Sequence, residues 1–226
     1  GYSLARSEDR SKLAQALSNN PVVVLYGDSG TGKSALAKST LEREFPEASQ
    51  TWLGPDTLGA TLIEVERIKT DLVHPLHDTL KAAARPGNVL VIDAAERISS
   101  ELASKVKQLV AALMAGNTPD AVPVWRVLIV GQTEAWMDER LQNLAGDKQP
   151  AWLGIAPVPF GEVQAALRSS PHLAWLALQD DAVAALTNLR ALAWVMQAAS
   201  HFQQQGHFAK PSLTSIADSL WKFWTN

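Results

Sequence analysis

The chain has 226 residues, of which 46% are hydrophobic and 19% are charged. This composition is that of a globular protein, which excludes disorder as the main state of the chain. The 20 basic and 23 acidic side chains give a net charge of -3, which excludes a strong basic field for nucleic acid or anionic lipid. The chain has no cysteine, which excludes disulfides, thiolate metal sites and a cysteine nucleophile. Since no apolar run reaches the roughly 18 residues of a bilayer span, we expect a cytoplasmic protein without a membrane segment.

Short apolar runs alternate with amphipathic segments through the first two thirds of the chain. The runs are rich in β-branched residues and follow turn-forming residues, which predicts strands at 22–26, 51–53, 89–93, 124–131 and 152–158. The segments between them have apolar residues at helical spacing, which predicts helices at 7–17, 33–45, 61–69, 76–84, 99–115 and 133–144. Strands that alternate with helices imply a parallel sheet covered on both faces, which is a three-layer α/β fold.

The pattern changes near residues 157–159, after which the sequence predicts helices alone, within 160–200 and at 212–224. We therefore expect an α/β core over residues 1–158 and a small all-helical subdomain over 159–226. The first residue is glycine rather than methionine, so we also expect a piece of a longer protein. Trp221, Phe223 and Trp224 end the last predicted helix, and we expect this aromatic end to contact a missing domain or a second copy.

The segment 27–34 matches the pattern G-x-x-x-x-G-K-[ST] and lies between a predicted strand and a predicted helix. Glycines let such a loop turn tightly, so that its backbone N–H groups converge on phosphate oxygens. The lysine supplies a positive charge for the β- and γ-phosphates, and the hydroxyl that follows it coordinates Mg²⁺. The predicted nucleotide-binding residues are Gly27, Asp28, Ser29, Gly30, Thr31, Gly32, Lys33 and Ser34.

A second element is the apolar strand at 89–92, which ends in Asp93. A carboxylate at the carboxyl end of a buried parallel strand can hold Mg²⁺ through water beside a phosphate loop. We therefore expect Asp93 to act with Ser34 at the metal, although an aspartate that only caps the turn is the alternative.

The two elements resemble the Walker A and Walker B motifs of the P-loop ATPases of the additional-strand class. Within that class the chain is similar to the AAA+ and STAND branch, and the similarity runs over nearly its whole length. It implies ATP and Mg²⁺ as ligands and ATP hydrolysis as the activity. It places the sensor 1 residue at Gln132 or Thr133, after the strand at 127–131. It places a helical lid at 182–199, in which Arg190 would reach the γ-phosphate as sensor 2.

The chain departs from the pattern of this branch at two positions. Many members have Asp-Glu at the end of Walker B, where the glutamate polarises the attacking water, but here Ala94 and Ala95 follow Asp93. Glu96 is the next carboxylate, and it is either the displaced catalytic base or a solvated acid at a helix start. Lids of this type often have glycine where this chain has Thr187, so the arginine that follows it is either the sensor or an exposed helix residue.

Three further arginines lie where the resembling families place functional groups. Arg6 and Arg10 precede the first strand, in the segment that lines the adenine pocket in those families, and surface positions are the alternative. Arg140 precedes the last predicted strand, where ring-forming members place an arginine finger, although STAND proteins often lack one.

The resemblance implies an ATP-binding and ATP-hydrolysing regulatory module that changes its conformation or its assembly with the nucleotide state, as STAND proteins do. One alternative is an AAA+ ring ATPase that acts on DNA or protein, and another is a scaffold that binds ATP without hydrolysing it. Residues 151–226 carry as many acidic as basic side chains, and no basic stripe with interleaved aromatic residues is present. Direct binding of nucleic acid is therefore not expected.

Overall fold

A computed structural model describes residues 6–62, 74–117, 123–134, 142–145, 149–171 and 173–204 of the chain. The chain forms two compact units. The sheet unit contains the described residues of 6–28 and 33–155, and the helical unit contains those of 29–32 and 156–204. Among the described residues, no helix is long and apolar enough to cross a membrane.

The sheet unit is built on five parallel strands in the order β2-β3-β4-β1-β5. Since β4 lies between β1 and β3, the strand before the phosphate loop and the strand before Asp93 are separated by one inserted strand, as the resemblance implies. The strands are β1 (Val22–Gly27), β2 (Gln50–Leu53), β3 (Asn88–Ile92), β4 (Trp125–Gln132) and β5 (Ala151–Gly154).

Helices cover both faces of the sheet and confirm the predicted three-layer α/β fold. Because side chains alternate along a strand, Val22, Leu90 and Ile129 lie on one face of the sheet. Val23 and Leu128 lie on the other face. The first face packs against α3, α4 and α5, and the second against α1 and α2. These helices are α1 (Ser7–Asn19), α2 (Lys33–Glu44), α3 (Pro55–Leu62), α4 (Leu76–Ala82) and α5 (Ser100–Met114).

The helical unit has its own hydrophobic core, and its described part contains no strand. Its helices are α6 (Phe160–Ser169), α7 (Asp180–Ala185) and α8 (Leu189–Gln204), with a short 3₁₀ turn at Leu176–Leu178. Val163 and Leu167 of α6 are buried with Val183 of α7 and Leu192 and Val195 of α8. This confirms that a small all-helical region follows the parallel sheet.

The structure adds one helix to the prediction and shortens one strand. α3 begins at Pro55, ahead of the helix expected at 61–69, and ends in the described chain at Leu62. Residues 63–69 lie outside the described residues, so the rest of that expected helix stays a prediction. Proline favours the first position of a helix, because its missing N–H has no intrahelical partner there in any case. The strand expected at 152–158 ends at Gly154, since Pro157 and Pro159 have no N–H group to donate to a neighbouring strand. Most of the helix expected at 133–144 lies outside the described residues.

Candidate functional site

The phosphate loop leaves β1 at Gly27 and enters α2 at Lys33. Gly30 and Gly32 have φ angles of +81° and +86°, a region that only glycine adopts without strain. The backbone conformation of this loop therefore requires glycine at these two positions of the motif. Positive φ angles at alternate residues turn the backbone sharply, a geometry that can aim successive N–H groups at an anion.

Lys33 lies at the start of α2 and folds back onto the loop. Its Nζ donates hydrogen bonds to the carbonyl oxygens of Gly27, at 2.8 Å, and Asp28, at 2.7 Å. The side chain is 9% exposed, and its burial lowers the pKa of the ammonium group. The carboxylates of Glu96 and Asp93 oppose that lowering of the pKa. A bound phosphate would add negative charge beside this ammonium and would favour its protonated form further.

Ser34 and Asp93 lie together at the carboxyl edge of the sheet. The Ser34 hydroxyl donates to Oδ1 of Asp93 at 2.9 Å, although 59 residues separate the two in sequence. The same oxygen accepts the backbone N–H of Ala94 at 2.9 Å, which fixes the orientation of the carboxylate. A hydroxyl and a carboxylate are hard oxygen donors of the kind that Mg²⁺ prefers, so the donor set fits this metal. Among the described residues there is no cluster of three or more histidine, cysteine or acidic side chains that would suggest another metal site.

Glu96 faces Gln132 at the same edge. Its Oε1 accepts a hydrogen bond from Nε2 of Gln132 at 3.1 Å, and its Oε2 accepts the backbone N–H of Gln132 at 3.2 Å. The chain reaches this arrangement through Ala94, whose φ of 53° and ψ of 48° are left-handed and uncommon for a residue with a side chain. The turn at Ala94 redirects the chain after Asp93 and is followed by one 3₁₀ turn that contains Glu96.

The two residues proposed for sensor 1 have different partners. Gln132 contacts Glu96, whereas the Thr133 hydroxyl donates to Oδ1 of Asp28 in the phosphate loop at 3.1 Å. Since β4 lies between β1 and β3, its carboxyl end can contact the end of each neighbouring strand. The sequence identified this strand end but not the partner of either side chain.

The proposed arginines lie in different surroundings. Arg190 is exposed in the first turn of α8, in the helical unit, and its backbone N–H donates to Oδ1 of Asn188 at 3.0 Å. Arg6 pairs with Asp9 at 3.1 Å, and Nε of Arg10 lies 3.4 Å from Glu44 on α2. Both of these contacts are local to α1 and α2. The segments with Arg140 and with the aromatic residues Trp221, Phe223 and Trp224 lie outside the described residues.

Asn188 contacts the phosphate loop, whereas the sequence placed it within the lid segment at 182–199 without a role of its own. Its Nδ2 donates to the carbonyl oxygen of Ser29 at 2.9 Å, inside the helical unit. A pattern could have indicated part of this role, because asparagine directly before a helix is a favoured N-cap. Its long-range partner could not be read from the sequence, since 159 residues separate the two.

Comparison with known proteins finds similarity in structure alone. No family model matches the chain, and no curated protein matches it. The ORC1 protein of Aeropyrum pernix, solved in complex with DNA, has a TM-score of 0.65 at 14% identity, over 98% of this chain and 66% of that one. Domain III of the replication initiation protein DnaA from Thermotoga maritima has a TM-score of 0.64 at 15% identity, over 98% of this chain and 92% of that one. AMPPCP-bound DnaA from Aquifex aeolicus has a TM-score of 0.60 at 13% identity, over 92% of this chain and 66% of that one.

These structures define the class of fold. The chain has the fold of the AAA+ P-loop ATPases, in agreement with the resemblance drawn from its motifs. It spans less than two thirds of the ORC1 protein and of the Aquifex aeolicus DnaA, and nearly all of the isolated DnaA domain. At these identities the likeness is one of fold.

Proposed function

We propose that the chain is an ATP-binding and ATP-hydrolysing module whose conformation or assembly changes with the bound nucleotide. The observation that carries this proposal is the convergence of Lys33, Ser34, Asp93, Glu96 and Gln132 at one edge of the sheet. These are the five groups that the motifs and the resemblance require near the phosphates and the attacking water, and they come from three separate segments of the chain.

The binding role belongs to the loop and to Lys33. The buried ammonium of Lys33 is held by two loop carbonyls, and it would exchange these for oxygens of the β- and γ-phosphates. Ser34 and Asp93 would hold Mg²⁺, directly or through water, and the ion would neutralise charge that develops on the phosphates. The similar DnaA structure solved with AMPPCP, an adenine nucleotide, supports ATP as the ligand class.

The hydrolytic role falls to Glu96. Its carboxylate lies with Gln132 at the edge that carries Asp93, whereas the methyl group of Ala94 can neither accept nor donate a proton. In the proposed reaction Glu96 accepts a proton from the water whose oxygen bonds to the γ-phosphorus, and ADP leaves as the bond to its β-phosphate oxygen breaks. Gln132 holds the carboxylate of Glu96 through two hydrogen bonds and so fixes its position.

The regulatory role rests on Arg190. It lies in the first turn of α8 in the helical unit, where the resemblance to AAA+ and STAND lids places the sensor 2 arginine, and its side chain is exposed. A ligand shifts a conformational equilibrium only by its differential contacts with the two states. A contact that ATP makes and ADP lacks is a difference of this kind, so loss of the γ-phosphate would change the lid.

A second candidate is a ring ATPase that acts on DNA. The observation that favours it is the likeness in fold to the ORC1 protein solved in complex with DNA. The balance of acidic and basic side chains over residues 151–226 argues against direct contact with DNA by this chain. A scaffold that binds ATP without hydrolysing it is the third candidate, and turnover separates it from the other two.

The test is ATP turnover with Mg²⁺ at several protein concentrations, for the wild type and two variants. Lys33→Ala removes the phosphate-binding charge, so we expect loss of ATP binding and of turnover. Glu96→Gln keeps the shape of the side chain and one acceptor oxygen for Gln132, but it cannot act as a base. We expect it to bind ATP and to lose about 100-fold or more in turnover.

Glu101→Gln is the matched control. Glu101 is an exposed glutamate on α5 that pairs only loosely with Lys105, at 3.8 Å, so the same chemical change there should leave turnover unchanged. Wild-type turnover that persists in Glu96→Gln would remove Glu96 as the base. Tight ATP binding with no turnover in the wild type would favour the scaffold.

A further inference from the structure

Two hydrogen bonds join the start of α8 to the phosphate loop. Nδ2 of Asn188 donates to the carbonyl oxygen of Ser29 at 2.9 Å, and the backbone N–H of Leu189 donates to the carbonyl oxygen of Gly30 at 2.8 Å. All four residues belong to the helical unit. Two consecutive peptide carbonyls of the loop are therefore held by two consecutive residues of the chain before and within α8.

The orientation of the Asn188 side chain is fixed from its other end. Its Oδ1 accepts the backbone N–H groups of Arg190, at 3.0 Å, and Ala191, at 3.2 Å. These are N–H groups of the first helical turn that have no intrahelical partner, so Asn188 is the N-cap of α8. The amide oxygen is thus held by the helix while the amide nitrogen donates to the loop, so the helix start orients the group that contacts Ser29.

Two glycines of the phosphate loop lie next to the start of α8. A Cβ atom on Gly30 would lie 2.1 Å from Oδ1 of Asn188, and one on Gly32 would lie 2.7 Å from Cδ1 of Leu189. Real Cβ atoms are not found at such distances, so a side chain at either position would force the side chain of Asn188 or Leu189 to move. The glycines therefore serve this contact as well as the positive φ angles of the loop.

The geometry of the peptide bond gives the contact a consequence for phosphate binding. In a trans peptide the C=O and the N–H of the same planar unit point in opposite directions. Directing the carbonyls of Ser29 and Gly30 toward α8 therefore directs the N–H groups of Gly30 and Thr31 away from it. These N–H groups belong to the set that a phosphate loop of this pattern uses to hold the α- and β-phosphates.

We infer that Asn188 is a positioning residue for the phosphate loop, which sets the backbone N–H groups that hold the α- and β-phosphates before the nucleotide arrives. The inference rests on the proposed function as an ATP-binding module. It differs from the role proposed for Arg190, which concerns the γ-phosphate alone. Loss of the Asn188 side chain should therefore weaken the binding of ATP and of ADP by the same factor. Loss of the Arg190 side chain should weaken the binding of ATP more than that of ADP.

The test is the dissociation constant for ATP and for ADP in Asn188→Ser, Arg190→Ala and the wild type. Serine caps a helix about as well as asparagine, but it is too short to reach Ser29, so it removes the contact and keeps the cap. We expect Asn188→Ser to raise both dissociation constants by the same factor, about three- to tenfold, as for the loss of one hydrogen bond that orders the loop. Thr187→Ala is the control, since the Thr187 hydroxyl donates to the carbonyl oxygen of Ala184, three residues earlier, at 2.7 Å and not to the phosphate loop.

Equal affinity for ADP in Asn188→Ser and Thr187→Ala would overturn the inference. A loss of affinity in Asn188→Ser that is confined to ATP would also overturn it. Asn188→Thr, which also caps helices, repeats the measurement with a second side chain, and thermal unfolding without nucleotide verifies that each variant is folded. If the wild type itself binds neither ATP nor ADP, the proposed function fails, and this outcome is distinct from a wild type that binds both and a variant that binds them equally well.

Discussion

Lys33 places an ammonium group among buried atoms at the start of α2. Its ammonium is buried against two carbonyl oxygens, and no carboxylate forms a direct hydrogen bond with it among the contacts found in the described residues. Burial of a charge disfavours the charged form, which is why the pKa of Lys33 lies below its ordinary value of 10.5. Phosphate oxygens would supply the countercharge that the carbonyls supply only in part.

The lowered pKa predicts the pH dependence of stability. Between the pKa of Lys33 in the folded chain and 10.5, the unfolded chain binds more protons than the folded one. The free energy of unfolding therefore rises with pH in that window. Lys33→Met has no such group, so we expect the stability of the wild type relative to this variant to increase as the pH rises toward 10.5. Chemical denaturation of both proteins at several alkaline pH values measures this difference, and a difference that falls with pH would contradict the assignment.

The site residues divide by how far their partners lie in sequence. The phosphate loop, Lys33 and Asp93 could be proposed from the sequence because each belongs to a local pattern with a known chemistry. The pairing of Glu96 with Gln132 needs β3 beside β4 and a left-handed residue at Ala94. Neither feature follows from local propensity, because strand order is set by the packing of the whole sheet and alanine does not favour a positive φ.

At the scale of elements, the sequence predicted the interior better than the edges. The central strands β1, β3 and β4 are apolar runs, since both of their faces are buried, and no predicted bound differs from the observed one by more than one residue. In the edge strand β5 half-buried and exposed residues alternate, and most residues of the edge strand β2 are half-buried. Their sequences therefore carry a weaker hydrophobic pattern than those of the central strands. The start of α3 was missed because proline at its first position was not used as a start signal.

The end of α5 is joined to the start of β4 by one side chain. Asn117 accepts the backbone N–H groups of Val124, at 2.9 Å, and Trp125, at 3.3 Å, and its Nδ2 donates to the Trp125 carbonyl at 2.9 Å. Three backbone groups at the beginning of a central strand thus depend on this residue. The carboxyl end of the same strand carries Gln132 and Thr133, which contact the site.

We expect Asn117→Ala to destabilise the protein by about 1–3 kcal/mol, because it leaves backbone groups of β4 without partners. Ser104→Ala on the exposed side of α5 is the control, since its hydroxyl donates only to Glu101 of its own helix, and we expect a change within about 0.5 kcal/mol. Urea denaturation measures both changes. Equal stability of Asn117→Ala and the control would show that these hydrogen bonds do not hold β4 in place.

At the scale of the whole molecule, the three candidate functions differ in how mass and turnover respond to nucleotide. A module that switches with nucleotide has two states that differ between ATP and ADP, and each copy hydrolyses independently unless the copies assemble. A ring needs a discrete assembly and a residue from the neighbouring copy, so its turnover rises more than linearly with protein concentration. A scaffold binds ATP without either response.

Sedimentation velocity of Glu96→Gln separates these cases, because this variant should bind ATP and retain it unhydrolysed during the run. We expect the ATP and ADP states to differ in sedimentation coefficient, and we expect Lys33→Ala to sediment alike in both nucleotides because it binds neither. Wild-type turnover per chain that stays constant over a wide range of protein concentration would agree with the switch. A single large species that forms only with ATP, together with turnover that rises steeply with concentration, would instead establish the ring. Identical sedimentation of the ATP and ADP states would contradict the switch, because a nucleotide that changes neither shape nor mass cannot carry a signal through either.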